Sequence, residues 1–151
     1  MLIDNYSPSN NLIQTNQGVL NYFDNIRGSW LSVHRSIFSF GLNHSDISGK
    51  RFMSLMSDMT SNNSSYVCFR NGVITAISAN CKDNTNASFK IIKNNDVNNE
   101  LYSLDLSDDS VKSIDNLNVN FLSHDIIQCI IEVNPSSFID YPFITIEVAW
   151  S

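Results

Sequence analysis

The chain has 151 residues, enough for one domain that buries roughly 68 to 70 percent of its unfolded surface. Only 16% of residues are charged, yet nine Phe, five Tyr and two Trp accompany many Ile and Val, which disfavours disorder. The net charge of -6 argues against a phosphate-binding surface, and no apolar run reaches the roughly 18 residues of a membrane-spanning helix.

Residues 1–18 are crowded with Asn, Ser and Gln and have no sustained period, so they are expected to form an extended arm rather than a packed element. The opening MLIDNYSPSN lacks a basic n-region and an apolar h-region, so no export signal is expected. Leu2 and Ile3, then Leu12 and Ile13, are the apolar pairs of the arm and its candidate anchor points on a neighbouring subunit or larger assembly.

From Val19 the pattern changes to period two, the mark of half-buried strands, and residues 19–151 are expected to form one domain. Strands are predicted over 19–23 and 30–40, separated by a turn that ends at Gly28. Residues 41–49 read as a loop, 51–56 as a short strand and 57–65 as a polar loop. The dipeptide Asn71-Gly72 predicts a tight turn between strands 66–70 and 73–79. The alternating runs 73–79 and 87–92, joined by the loop 82–86, predict a hairpin.

Further on, Tyr102, Leu104 and Leu106 share one strand face, and Leu117, Val119 and Phe121 share another before a turn at 123–125. The run from Ile126 to Val133 is apolar on both faces, so one face is left for an oligomer contact once the core is filled. Ile126, Ile130 and Trp150 are the candidate oligomer or core-face residues. Pro142 leads into a last strand in which Ile144, Ile146, Val148 and Trp150 share the buried face. Eight or nine short strands with almost no helical period predict an all-β, two-sheet antiparallel sandwich, jelly-roll-like or Ig-like, preceded by the arm.

Chemical motifs are sparse. The three cysteines share no C-x-x-C spacing, which indicates neither a disulfide framework nor a zinc knuckle. The sequence has no G-x-S-x-G, P-loop, G-x-G-x-x-G or H-E-x-x-H. His34, His44 and His124 are far apart, His124-Asp125 lies among serines too common to single out a triad, and Asp105, Asp108, Asp109 and Asp115 lack the register of a calcium loop. No catalytic residue, metal or cofactor is expected, and the chain is not expected to be an enzyme.

The blocks YFDNIRGSWLSVHR, FSFGLNH, FRNGVITAISA, NASFKIIKN and YPFITIEVAWS, in that order, resemble the C-terminal β-sandwich domain of tailed-bacteriophage fibre, spike and head-decoration proteins. The resemblance spans residues 19–151. It implies a protein on the virion surface, usually a homotrimer, joined to capsid or fibre through an N-terminal segment. The short arm favours a decoration protein or fibre cap over a fibre shaft. The alternative reading of the same sandwich is a module that binds a host glycan or receptor through loop aromatics and amides.

Overall fold

The computed structural model describes residues 13–16, 19–55, 65–82, 86–107 and 110–151. Among them there is no helix, and thirteen strands form three antiparallel sheets. The strands are β1 (Ile13–Asn16), β2 (Val19–Asp24), β3 (Ser29–Ser32), β4 (Arg35–Gly41), β5 (Gly49–Phe52), β6 (Tyr66–Val67) and β7 (Gly72–Asn80). They continue as β8 (Ala87–Lys93), β9 (Asp96–Leu106), β10 (Val111–Ile114), β11 (Val119–Phe121), β12 (Ile126–Val133) and β13 (Phe143–Trp150).

Two sheets make the sandwich. One runs β10-β7-β13-β4, with β11 also on β7; the other runs β5-β12-β8-β9, with β6 also on β12. The pairs are nested: β8 with β9 innermost, then β7 with β10 and β11, β5 with β12, and β4 with β13 outermost. The alternation predicts a two-sheet sandwich, and a long hairpin rolled up in this way makes it a jelly roll rather than an Ig-like one.

The innermost turn is Asn94-Asn95, both at positive φ (59° and 60°), a conformation that suits the right-handed twist of a two-residue hairpin and that Asn tolerates. The turn is tied down from outside, because the Asn94 carboxamide accepts from the Ile126 amide at 2.8 Å and donates to Asp125 at 3.0 Å. The hairpin therefore lies here. The predicted pairing of 73–79 with 87–92 does not occur: β7 and β8 belong to opposite sheets, and the chain crosses between them after Asn80.

Asn71-Gly72 is likewise no turn, and Gly72 does not take a positive φ. It opens β7 and lets other groups approach. A Cβ on Gly72 would lie 2.4 Å from the Phe121 ring and 2.8 Å from the Ala149 carbonyl oxygen. The predicted strand 30–40 is broken at Val33-His34, where the Ser32 hydroxyl donates to the His34 carbonyl and accepts the Trp150 amide. The chain leaves one sheet there and joins another.

That first sheet, β1-β2-β3, contains the earliest strand among the described residues, which pairs Ile13 with Tyr22, so strand structure is present before the predicted Val19. IQTN has no apolar alternation to betray it; the strand is defined by its backbone partners. Leu31 packs against Val73 and Ala149 of the sandwich, with Tyr22 beside them. Arg27, its side chain only 7% exposed, fastens the hairpin tip, donating to the Leu117 carbonyl at 2.8 Å and pairing with buried Asp24 at 2.6 Å.

Burial alone would raise the Asp24 carboxyl, but the Arg27 side chain and the Ile26 and Arg27 amides hold it below its ordinary value of 3.8. A depressed folded value means that its stabilisation is full above the unfolded value and is lost as pH falls through the folded one. The Ile26 and Arg27 amide chemical shifts are expected to titrate below pH 3.8. A transition at or above that value would contradict the pair.

The core lies between the two large sheets. Ile144, Ile146 and Val148 are fully buried in it, and Trp150 packs edge-on against Phe121 at 5.8 Å. From β12 it receives Ile127, Cys129, Ile131 and Val133. The other face of β12 is not left bare: Ile130 and Gln128 are fully buried within the single chain, as is Ile92 on the neighbouring strand. The apolar run therefore supplies no free face at Ile130.

Candidate functional site

The sandwich has two dissimilar ends. At one end β3 hands over to β4, β13 terminates, and the Ser151 amide donates to the Asn71 carbonyl beside the start of β7. At the other, residues 42–48 between β4 and β5 meet residues 134–142 between β12 and β13. The length of β4 separates the two ends by about 20 Å.

The second end is built by backbone pairing between its loops. Ile47 and Ile139 exchange hydrogen bonds at 2.9 and 3.0 Å, the Leu42 amide donates to the Pro142 carbonyl at 3.0 Å, and the Tyr141 amide donates to the His44 carbonyl at 2.9 Å. Asp140 fixes the corner: its carboxylate accepts the Asp46 amide at 2.8 Å and lies 3.6 Å from the Lys82 ammonium, while its carbonyl accepts the Lys82 amide. These contacts hold Tyr141 at a φ of 49°. A bulky non-glycine residue is rarely found there, and the strain of about 1 to 3 kcal/mol persists only where neighbouring bonds enforce it.

Two hollows flank the loop 42–48. One, of about 500 Å³, is lined by Ser39, Gly41, Leu42, Asn43, Tyr141, Pro142 and Phe143, none of them charged. Tyr141 and Phe143 are 49% and 43% exposed, so each ring keeps a free surface while its base is held. Gly41 lets the Phe143 ring lie on the backbone, since a Cβ there would stand 2.9 Å from the ring. The other hollow is lined by His44, Asp46, Lys50 and Arg51 among others, and is charged.

The residues singled out from the sequence are placed elsewhere. Leu2, Ile3 and Leu12 lie outside the described residues, and Ile13 begins β1. Ile130 is buried, Ile126 is half-buried at the start of β12, and Trp150 faces the core with its indole N–H donating to the Ser36 hydroxyl at 2.7 Å. The three histidines are not brought together: His124 contacts the Ser123 hydroxyl at 3.1 Å, and His44 contributes its carbonyl to the loop pairing.

Asp125, next to His124, does structural work. Burial alone would raise its carboxyl, but the Leu122 amide, Asn94 and Lys93 hold it below the ordinary value. The Cys68 thiol is pushed up to about 11, first by burial and then by the Asp125 charge, and complete burial raises the Cys129 thiol well above its ordinary value. Among the described residues no group of three His, Cys, Asp or Glu side chains could hold a metal ion.

Sequence reasoning missed Tyr141, Phe143 and Asn43. The available signal was Tyr-Pro-Phe at the mouth of the last strand, where the alternation sends Phe143 to the face opposite Ile144 and Ile146.

No protein-family model matches this chain, and no curated protein matches it either. Among solved structures, a chain of the acidic stable capsid of Helicobacter pylori bacteriophage KHP30 is similar, with a TM-score of 0.46 and 9% identity over 78% of this chain and 87% of that one.

Proposed function

We propose that this protein is a structural component of the surface of a bacteriophage virion, a decoration, head-fibre or fibre-cap protein whose jelly roll is displayed outward. The observation that carries the reading is the nested strand order, a plan used repeatedly by viral capsid domains, in a chain whose sequence blocks resemble phage surface sandwiches. In this reading the segment ahead of Val19, including Leu2, Ile3, Leu12 and Ile13, seats the protein on other virion proteins. Copies associate as a closed homotrimer, which satisfies every contact without open-ended polymerisation.

The polarity of the fold supports that orientation, because the sandwich is entered at the end opposite the Tyr141 loops. Jelly rolls also serve other functions, so the test is made on the particle. Antibodies raised against the folded protein are expected to label the surface of density-purified virions in negative stain. Particles that carry neither label nor the peptide by mass spectrometry, from lysates that contain the protein, would overturn the proposal.

A further inference from the structure

The geometry points to the hollow beneath Tyr141 and Phe143 as a binding site for a neutral pyranose, such as a terminal or branch residue of an uncharged host-surface polysaccharide. The class of ligand follows from the lining. Two half-exposed aromatic rings can cover the C–H face of a sugar ring, while the Asn43 carboxamide and the Ser39 hydroxyl can exchange hydrogen bonds with its hydroxyls. No lysine, arginine or carboxylate lines the hollow, so nothing there would compensate the charge of an acidic sugar. The volume of about 500 Å³ falls within the usual range of small-ligand sites, roughly 300 to 1,000 Å³.

A second, independent observation concerns the backbone. Tyr141 is kept at its φ of 49° by its own amide bond to His44 and by the flanking bonds of Asp140 and Pro142. The enforced backbone fixes an aromatic ring at the rim of the hollow. The site is therefore preorganised, which lowers the ordering cost of binding. It also sits at the end remote from β1–β3, and its orientation on a particle, though not the binding chemistry, rests on the virion reading. In that reading the hollow faces away from the particle.

The test uses the full chain against immobilised di- to tetrasaccharides of glucose, galactose, mannose and N-acetylglucosamine, with sialyllactose as the acidic probe. At least one neutral oligosaccharide is expected to bind. Tyr141→Gly and Phe143→Ala are each expected to weaken that binding about tenfold or more. Tyr141→Gly suits the positive φ, so it removes the ring without the risk of unfolding that Ala would bring. Phe69→Ala, at an 85% exposed position near the opposite end, should change nothing.

Failure of every neutral probe at millimolar concentration would overturn the site, as would a preference for sialyllactose or affinity that Tyr141→Gly and Phe143→Ala leave intact. A change in assembled mass in those two variants, read by light scattering, would assign the rings to contact between copies instead. Each of these outcomes is independent of whether antibodies label the virion.

Discussion

Deletion of residues 144–151 is expected to leave no cooperatively folded protein. β13 lies inside its sheet, with β4 on one side and β7 on the other, so its loss orphans the backbone groups of both neighbours. Ile144, Ile146 and Val148 are completely buried, and each contributes about 1.5 to 3 kcal/mol of burial. Trp150 adds its ring contacts with Phe121 and Phe38. Together with the lost pairing, the total exceeds the margin of about 5 to 15 kcal/mol that a domain of this size has to lose. A truncated chain with dispersed amide resonances and an unchanged melting temperature would contradict the central place of this strand.

Gly72→Ala is expected to destabilise the fold by about 3 kcal/mol, the upper end of what one added methyl group does in a packed interior. Both obstacles are close, and they differ in kind. The Phe121 ring, 2.4 Å from the added carbon, can swing only by giving up its edge contact with Trp150, whereas the Ala149 carbonyl at 2.8 Å belongs to the central strand. Denaturant unfolding of Gly72→Ala, Phe121→Ala and the double variant separates the two. The cost of Gly72→Ala should fall in the Phe121→Ala background, since the ring contributes its share of the clash. Equal costs in both backgrounds would assign the whole effect to the carbonyl, and a cost below about 1 kcal/mol would mean that the close approach is not needed.

Much of the sandwich was legible because alternation is a property of a single strand. Ile144, Ile146, Val148 and Trp150 were read as one inward face and occupy it; Leu104, Leu106 and Phe121 also point inward as their spacing predicts. The two-sided apolar character of β12 was equally plain, but its meaning was not. Ile130 is covered within its own chain, and a run of apolar residues does not say what covers it.

The errors share a cause. Asn71-Gly72 has the composition of a turn, yet Gly72 is there because the Phe121 ring, some fifty residues later, presses on its Cα. The runs 73–79 and 87–92 look like neighbours in one hairpin, but each finds its hydrogen-bond partners elsewhere, β13 for the first and β12 for the second. The candidate sugar site depends on the same kind of distant pairing. Asn43 and Tyr141 are nearly a hundred residues apart, and they meet at one hollow through backbone bonds between their loops, among them those from Leu42 to Pro142 and from Tyr141 to His44.

The sequence by itself determined that this chain would be all-β, where most strands run and which side chains turn inward, because a period of two and the burial of Ile, Val and Phe are settled within a few residues. Only the tertiary structure decided which sheet each strand joins, where β1 pairs, and that Tyr141 and Phe143 flank a hollow. Those outcomes depend on backbone donors and acceptors supplied from far along the chain, and backbone groups are the same for every residue but proline.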